Sequence, residues 1–302
     1  IDGDRLLLNH RPVFQRLVLD QGFYPDGIYT APTDEALRRD IELSLNAGFN
    51  GARLHQKVFE ERYLFWADRM GYLVWGEHAS WKLDMEKFSA LDAFLPEWME
   101  VLERDRSHPA IIGWCPFNET WNQTSQAAHR ILRAVYDETK RLDPTRPVID
   151  VSGAYHEITD IYDQHDYDQN PESFGKSYAG YNGVEKSFNL FFKDKQVYIP
   201  NLPFFLSEFG GIKWIPESNR SSAADNSWGY GDAPATEEEF FTRYEGLTAA
   251  LLNAPNIMGF CYTQLYDVEQ EVNGLYTYAR EKKFADYSRI IAANRKKAAI
   301  EE

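Results

Sequence analysis

Cysteine is scarce: Cys115 and Cys261 are the only two in 302 residues, and no Cys/His cluster has zinc-ligand spacing. A disulfide-stapled scaffold and a structural zinc fold are thereby excluded. Both cysteines fall inside apolar, strand-like runs and read as buried small side chains. Positive charge is the scarcer sign, with 32 Lys and Arg against 47 Asp and Glu and a net charge of −15. That balance offers no footprint for nucleic acid or an anionic membrane surface. No apolar run approaches the roughly 18 residues of a membrane-spanning helix. A Gly-rich phosphate turn after the first strand is missing too, so neither a dinucleotide fold nor a redox cofactor is expected. The chain opens on Ile1, so targeting cannot be read and a piece of a longer protein is expected.

Apolar and aromatic residues are plentiful, at 43% and 15% of the chain. They suffice for a large core and exclude disorder. Strand-like runs alternate with amphipathic helical stretches. Strands are expected over Pro12–Asp20, Phe49–His55, Tyr72–Glu77, Ile111–Asn118, Pro147–Ser152, Ile158–Tyr167, Phe204–Phe209 and Ile257–Leu265. Helices are expected from Thr33 to the Gly48 stop, then over Phe59–Met70, Leu91–Ser107, Ser125–Leu142, Thr236–Asn253 and Phe284–Lys297. Such alternation in one domain, residues 1–302, predicts a (β/α)8 TIM barrel. Residues 168–203 and 210–235 are expected to be long loops, and loops of that length in a compact domain are usually functional.

A barrel enzyme gathers its chemistry just beyond the C-terminal ends of its strands. Those ends carry Asp20, Arg53, His55, Glu77, Asn118, Glu119, His165, Tyr167, Glu208 and Gln264. Glu119 closes the fourth strand and Glu208 the seventh, so the two carboxylates can face each other across the mouth. Two carboxyls about 5 Å apart suit a retaining glycosidase, whereas inversion needs about 6.5–9.5 Å. One carboxylate stabilises the oxocarbenium-like centre and the other carboxyl gives a proton to the departing oxygen. The acid must hold its proton near neutrality, which burial and a neighbouring anion favour. Trp81, Trp121, Trp214 and Trp228 lie in expected loops, where an indole either stacks on a sugar or packs its loop onto the barrel. Asp166-x-Asp168-x-Asn170 begins like a calcium loop, but Pro171 stands where that loop needs Gly and Ser177 where it needs Glu. No metal is expected.

Several motifs together resemble the catalytic barrel of glycoside hydrolase family 2. They are Leu8-Asn9 with Pro12-Val13-Phe14, the Gly48–Arg53 segment, Trp66–Val74, His108–Glu119, Ser207-Glu208-Phe209-Gly210 and Asp267–Leu275. The resemblance implies Glu119 as acid/base, Glu208 as nucleophile, and Asn118 as a ligand of the sugar 2-hydroxyl. It implies Arg53 as support for the nucleophile, with Tyr167 or His165 donating to it. Glu77, which also follows an apolar strand, offers a different carboxylate pairing, but it is expected to orient Arg53 or the acid/base. The resemblance also implies β-sandwich domains ahead of the barrel. The chain departs from the family pattern in three places. His55-Gln56 replaces a histidine three residues after the arginine, and Asp20-Gln21 replaces His-Glu. Glu271, Val272 and Asn273 stand where glucuronidases carry Asn-x-Lys. The last departure implies a poor uronate site and favours a neutral β-hexoside, galactose first. A glucuronidase, a mannosidase, an endo-glycanase and a non-catalytic carbohydrate-binding barrel are the alternatives.

Overall fold

Strand formation follows the apolar runs. We label the barrel strands β1 (Gln15–Asp20), β2 (Gly51–Leu54), β3 (Leu73–Glu77), β4 (Ile111–Cys115), β5 (Val151–Ser152), β6 (Tyr162–Asp166), β7 (Phe204–Gly210) and β8 (Ile257–Thr263). The computed structural model describes residues 1–120, 125–179, 202–217 and 226–301. Seven strands form one parallel sheet in the order β4-β3-β2-β1-β8-β7-β6. Phe117–Asn118 continues β4 and pairs with β5, Phe117 opposite Val151 and Asn118 opposite Ser152. This is the cyclic order of a (β/α)8 barrel. Between β5 and β6 the Asp160 N–H donates to the Val148 carbonyl at 2.9 Å. Higher up, Ser152 Oγ donates to Asp163 Oδ2 at 2.7 Å.

The helices are α1 (Asp34–Asn46), α2 (Glu61–Met70), α3 (Ala90–Asp105), α4 (Gln126–Leu142), α5 (Pro171–Tyr178), α6 (Glu237–Leu252) and α7 (Ser288–Asn294). Their ends follow local chemistry. Thr33, Ser125 and Thr236 each accept a first-turn N–H, and α6 adds Glu237, Glu238 and Glu239 at its positive end. Gly71, with φ of 66°, closes α2 in the left-handed region. The buried positions of α4 (Ala128, Ile131, Leu132, Val135 and Thr139) recur every three or four residues and turn one stripe inward.

Several boundaries differ from expectation, among them the fifth strand, where only Val151–Ser152 of the expected Pro147–Ser152 is strand. The first strand starts at Gln15, because Arg11–Pro12 pairs with Leu7–Leu8 in a hairpin. The sixth starts at Tyr162, because Thr159 Oγ1 and Asp160 fold back onto Val148. The last helix starts at Ser288, because Lys283 is buried and Phe284 stacks on Trp214 at 6.2 Å. Helix α5 lies inside the expected loop 168–203: Asn170 accepts from the Glu172 and Ser173 N–H groups and Pro171 occupies the first turn. The calcium-like spacing is thus a set of turn and cap residues.

The barrel floor is packed. Trp75 Nε1 donates to Gln15 Oε1 at 2.7 Å and the indole stacks on Phe205 at 6.0 Å. Gly113 makes room, since a Cβ there would lie 2.4 Å from the Trp75 ring. Cys115 and Cys261 are free and buried, as expected. Above this floor the apolar filling gives way to polar groups that open towards the C-terminal face.

Candidate active site

Arg53 organises the site. Its side chain is 1% exposed and reaches four partners. Nε donates to Glu77 Oε1 at 2.7 Å. Nη1 donates to the Ser207 carbonyl at 2.8 Å and Glu208 Oε1 at 3.1 Å. Nη2 donates to Asn118 Oδ1 at 3.2 Å. One planar fork therefore sets the positions of β3, β4 and β7 side chains at once. Because Asn118 accepts from Arg53 through Oδ1, its amide nitrogen is aimed away, and this buried Nδ2 has no hydrogen-bond partner among the described residues. Buried donors rarely stay unpaired without a reason.

Glu208 is held on both oxygens: Arg53 donates to Oε1, and the Tyr167 hydroxyl donates to Oε2 in a short hydrogen bond. Burial pushes the Glu208 carboxyl up from its ordinary value, and His165 and Arg53 pull it back. Burial and then Glu208 hold the Tyr167 phenol far above its usual range, so it remains a donor. Tyr167 stacks face to face on Tyr230, with ring centroids 3.4 Å apart.

Glu119 has φ of 53°, in the left-handed region, which for a glutamate is strained. Its N–H is tied to the Ser152 carbonyl at 2.8 Å, and its Oε1 lies 2.8 Å from His165 Nδ1. The far ring nitrogen of His165, Nε2, is 2.9 Å from Ser152 Oγ and 3.3 Å from Glu208 Oε1. His165 thus stands between the two glutamates. Ligand atoms of Glu119, His165 and Glu208 lie within 4.8 Å of one another. Each is already engaged with the next, so the cluster reads as a proton-sharing set. His55, lowered well below its ordinary value by burial and Arg53, stays neutral with its Nδ1 3.8 Å from both Glu77 and Glu208.

A pocket of about 120 Å³ opens over these groups. Glu119 and Glu208 form its floor, with Trp81, Trp228, Tyr230, Gln21 and Glu271 among its walls. One wall is a continuous amide–carboxylate network. Gln21 Nε2 donates to Gln264 Oε1 at 2.7 Å and to Glu271 Oε2 at 3.0 Å. Gln264 Nε2 donates to Asn273 Oδ1 at 2.8 Å, and Asn273 Nδ2 to Glu271 Oε1 at 3.1 Å. Burial raises the Glu271 carboxyl above its ordinary value, against the hydrogen bonds from Gln21 and Asn273. Lys283 braces this loop from behind, donating to Asp267 Oδ1 at 2.6 Å and the Val272 carbonyl at 3.2 Å.

Eight of the residues singled out in the sequence meet here: Arg53, His55, Glu77, Asn118, Glu119, His165, Tyr167 and Glu208. Gln264 sits one layer out, in the wall network. Asp20 turns elsewhere: its carboxylate accepts from the Gly22 N–H at 2.9 Å and from the Tyr266 and Tyr63 hydroxyls. Trp121 lies outside the described residues. Trp214 packs against the barrel, whereas Trp81 and Trp228 are exposed at the pocket. Gln56 was noted only as a departure from pattern. It anchors the loop after β3, accepting from the Ser80 N–H at 2.8 Å. Sequence reading did not anticipate Ser152 and Asp163, because two polar residues on short strands carry no spacing signal.

A parallel eight-stranded barrel with a glutamate at the mouth end of β4 and another on β7 has the architecture of a glycoside hydrolase barrel. Comparison with known proteins agrees. The model of "Glycosyl hydrolases family 2, TIM barrel domain" matches residues 3–189, and the chain belongs to that family. It is 30% identical over 164 residues to the β-galactosidase of Vibrio cholerae, spanning 52% of this chain and 15% of that protein. It is 31% identical over 121 residues to the β-glucuronidase of Homo sapiens, spanning 39% of this chain and 18% of that protein. Among solved structures, a family 2 β-galacturonidase from Eisenbergiella tayi superposes with a TM-score of 0.77 at 17% identity. The match covers 97% of this chain and 53% of that one. The chain therefore spans about half of the solved relative and a smaller share of the curated ones.

Proposed function

We propose that this barrel is the catalytic domain of a retaining exo-β-glycosidase acting on a terminal neutral hexoside, with a β-galactoside first in line. The observation that carries the reading is the carboxylate pair, with oxygens of Glu119 and Glu208 within 4.8 Å and separate partners for each. That spacing suits direct attack by a carboxylate and leaves too little room for the water-first geometry of inversion, about 6.5–9.5 Å.

In the first step Glu208 attacks the anomeric carbon while Glu119 gives its proton to the departing oxygen. The C–O bond breaks and a glycosyl ester forms. In the second step Glu119 takes a proton from water, whose oxygen displaces Glu208. Arg53 and Tyr167 hold Glu208 in line for attack and take up charge on it as the ester breaks. The unpartnered Asn118 amide is free to donate to the sugar 2-hydroxyl, a contact that tightens in the transition state. The small pocket favours one terminal sugar over an internal stretch of glycan, and Trp81 and Trp228 at its edge offer flat faces for the leaving group.

Glu271 supports a neutral sugar, since its carboxylate on the pocket wall would repel a uronate. A uronide is the second reading, favoured by the 31% identity to a β-glucuronidase. We also propose that the barrel works within a longer chain carrying β-sandwich domains. A panel of nitrophenyl β-glycosides on the intact protein and on Glu208→Gln tests the reading. Galactoside turnover that vanishes in Glu208→Gln supports it, faster glucuronide turnover replaces the neutral sugar, and binding without turnover of any sugar overturns the hydrolase assignment.

A further inference from the structure

Beneath the two glutamates runs a buried chain of polar side chains that substrate contact does not explain. Asp150 Oδ1 meets His156 Nδ1 at 2.7 Å, and its Oδ2 accepts from the Glu157 and Ile158 N–H groups at 2.8 and 3.1 Å. His156 Nε2 faces Asp163 Oδ1 at 3.1 Å. Asp163 Oδ2 accepts from Ser152 Oγ at 2.7 Å, from the Gly153 N–H at 3.1 Å and from the Ser207 hydroxyl in a short hydrogen bond. Ser152 Oγ then lies 2.9 Å from His165 Nε2.

The donors and acceptors can be assigned along this chain. A carboxylate is a stronger acceptor than an imidazole nitrogen, so the Ser152 hydrogen points to Asp163. Ser152 Oγ is then an acceptor towards His165, and so is Glu208 Oε1 at 3.3 Å. His165 Nε2 therefore carries a hydrogen, facing two acceptors. Its Nδ1 is left opposite Glu119 Oε1 at 2.8 Å, and that contact needs one proton between the two atoms.

We propose that the proton delivered to the departing oxygen is held by Glu119 and His165 as a pair, and that the Asp150–His156–Asp163–Ser152 chain positions His165 for this. The proposal rests on the retaining-glycosidase reading. In the first step the shared proton leaves with the glycosidic oxygen, and in the second the proton from water restores it. Among the described residues, the other charged or titratable groups around the pair are Arg53 and His55 from β2, Asp163 and Tyr167 from β6, Glu208 from β7 and Tyr230. Burial opposes charge on His165, yet Glu208 and Glu119 outweigh it and raise the imidazole above its ordinary value. Burial likewise opposes charge on His156, and Asp150 and Asp163 push it up to about 10.

The test has two arms on the intact protein. In ¹⁵N-histidine NMR, His165, one of seven histidines, should show a protonated Nε2 at high pH. Its titration midpoint should fall by at least one pH unit in Glu119→Gln. An Nδ1–H tautomer at high pH, or an unmoved midpoint, overturns the proposal whether or not any sugar is turned over. In kinetics, His165→Gln should move the alkaline limb of kcat/KM to lower pH for poor leaving groups. It should spare a dinitrophenyl glycoside, whose departure needs no proton. Asp163→Asn, which removes the anion that orients Ser152, should shift the limb in the same direction by less. Equal losses on both leaving groups with an unmoved limb mean that His165 only supports structure, and overturn the proposal. If Glu208→Gln abolishes turnover in the same series, that failure leaves the hydrolase reading intact.

Discussion

Replacing Arg53 by methionine removes a cation that two buried carboxylates share. Glu77 and Glu208 side chains are 1% and 5% exposed, and Arg53 meets them at 2.7 and 3.1 Å. Methionine fills much of the volume, so the loss is electrostatic. Breaking a buried pair from one side destabilises by about 3–5 kcal/mol, because a charge is left uncompensated. Two carboxylates are stranded here, so the upper end of that range applies. At roughly 2–4 °C per kcal/mol in a large domain, Tm should fall by about 10 °C or more.

The pH dependence separates this cause from simple loss of packing. Glu208 already sits above its ordinary value through burial, and without Arg53 it moves further up. A carboxyl raised in the folded state binds a proton that the unfolded state has released. Stability is therefore retained below the unfolded value and falls as pH rises through the folded one. The deficit of Arg53→Met should be large at pH 8 and shrink towards pH 4.5, measured by thermal unfolding of both proteins across that range. Arg53→Lys, which keeps charge but not the planar fork, should fall between them. A deficit below about 1 kcal/mol at pH 8, or one equal at both ends of the range, would refute the assignment of Arg53 as the compensating charge.

Tyr167→Phe removes the donor to Glu208 Oε2; kcat on a nitrophenyl glycoside should fall about 10²-fold with little change in Tm, and a loss under threefold would mean the phenol is not a transition-state donor. Glu271→Gln should raise kcat/KM for a glucuronide relative to a galactoside, since it removes the like charge from the wall; an unchanged ratio would show that the sugar carboxylate would not approach this wall. Gly153→Ala places a Cβ 2.3 Å from the His165 ring at a φ of 72°. It should reduce activity on poor leaving groups and lower Tm, and a variant equal to the parent in both would show that the ring has room to move.

The barrel was readable because apolar runs and capped amphipathic stretches alternate, and both signals are local. That Glu119 and Glu208 would meet at the barrel mouth was readable for the same reason, since each ends an apolar strand. The short segments were harder. Strand β5 is only Val151–Ser152, too short for periodicity, and α5 is announced by Asn170-Pro171 inside a segment whose composition reads as loop. Asp20 ends a strand as Glu119 and Glu208 do, but its carboxylate turns away from them and accepts from Gly22, Tyr63 and Tyr266. Strand-end position says that a side chain lies near the mouth, not which way it turns.

The junction of β5 and β6 ties these observations together. Among the described residues no helix separates the two strands, and the link is Asp160 to Val148 low down and Ser152 to Asp163 higher up. A regular ladder there would satisfy the backbone without buried charge. The polar alternative places Asp163, Ser152 and His165 in line, with Gly153 leaving space for the imidazole. Asp163 is kept below its ordinary value by His156, against its burial. Burying such groups is tolerable only when they are paired: Asp150 is hydrogen-bonded to His156, Ser152 to Asp163 and His165, and His165 to Glu119, and His156 faces the Asp163 carboxylate at 3.1 Å. The feature that weakens strand pairing on this side of the barrel is therefore the one that orients the histidine between the two glutamates.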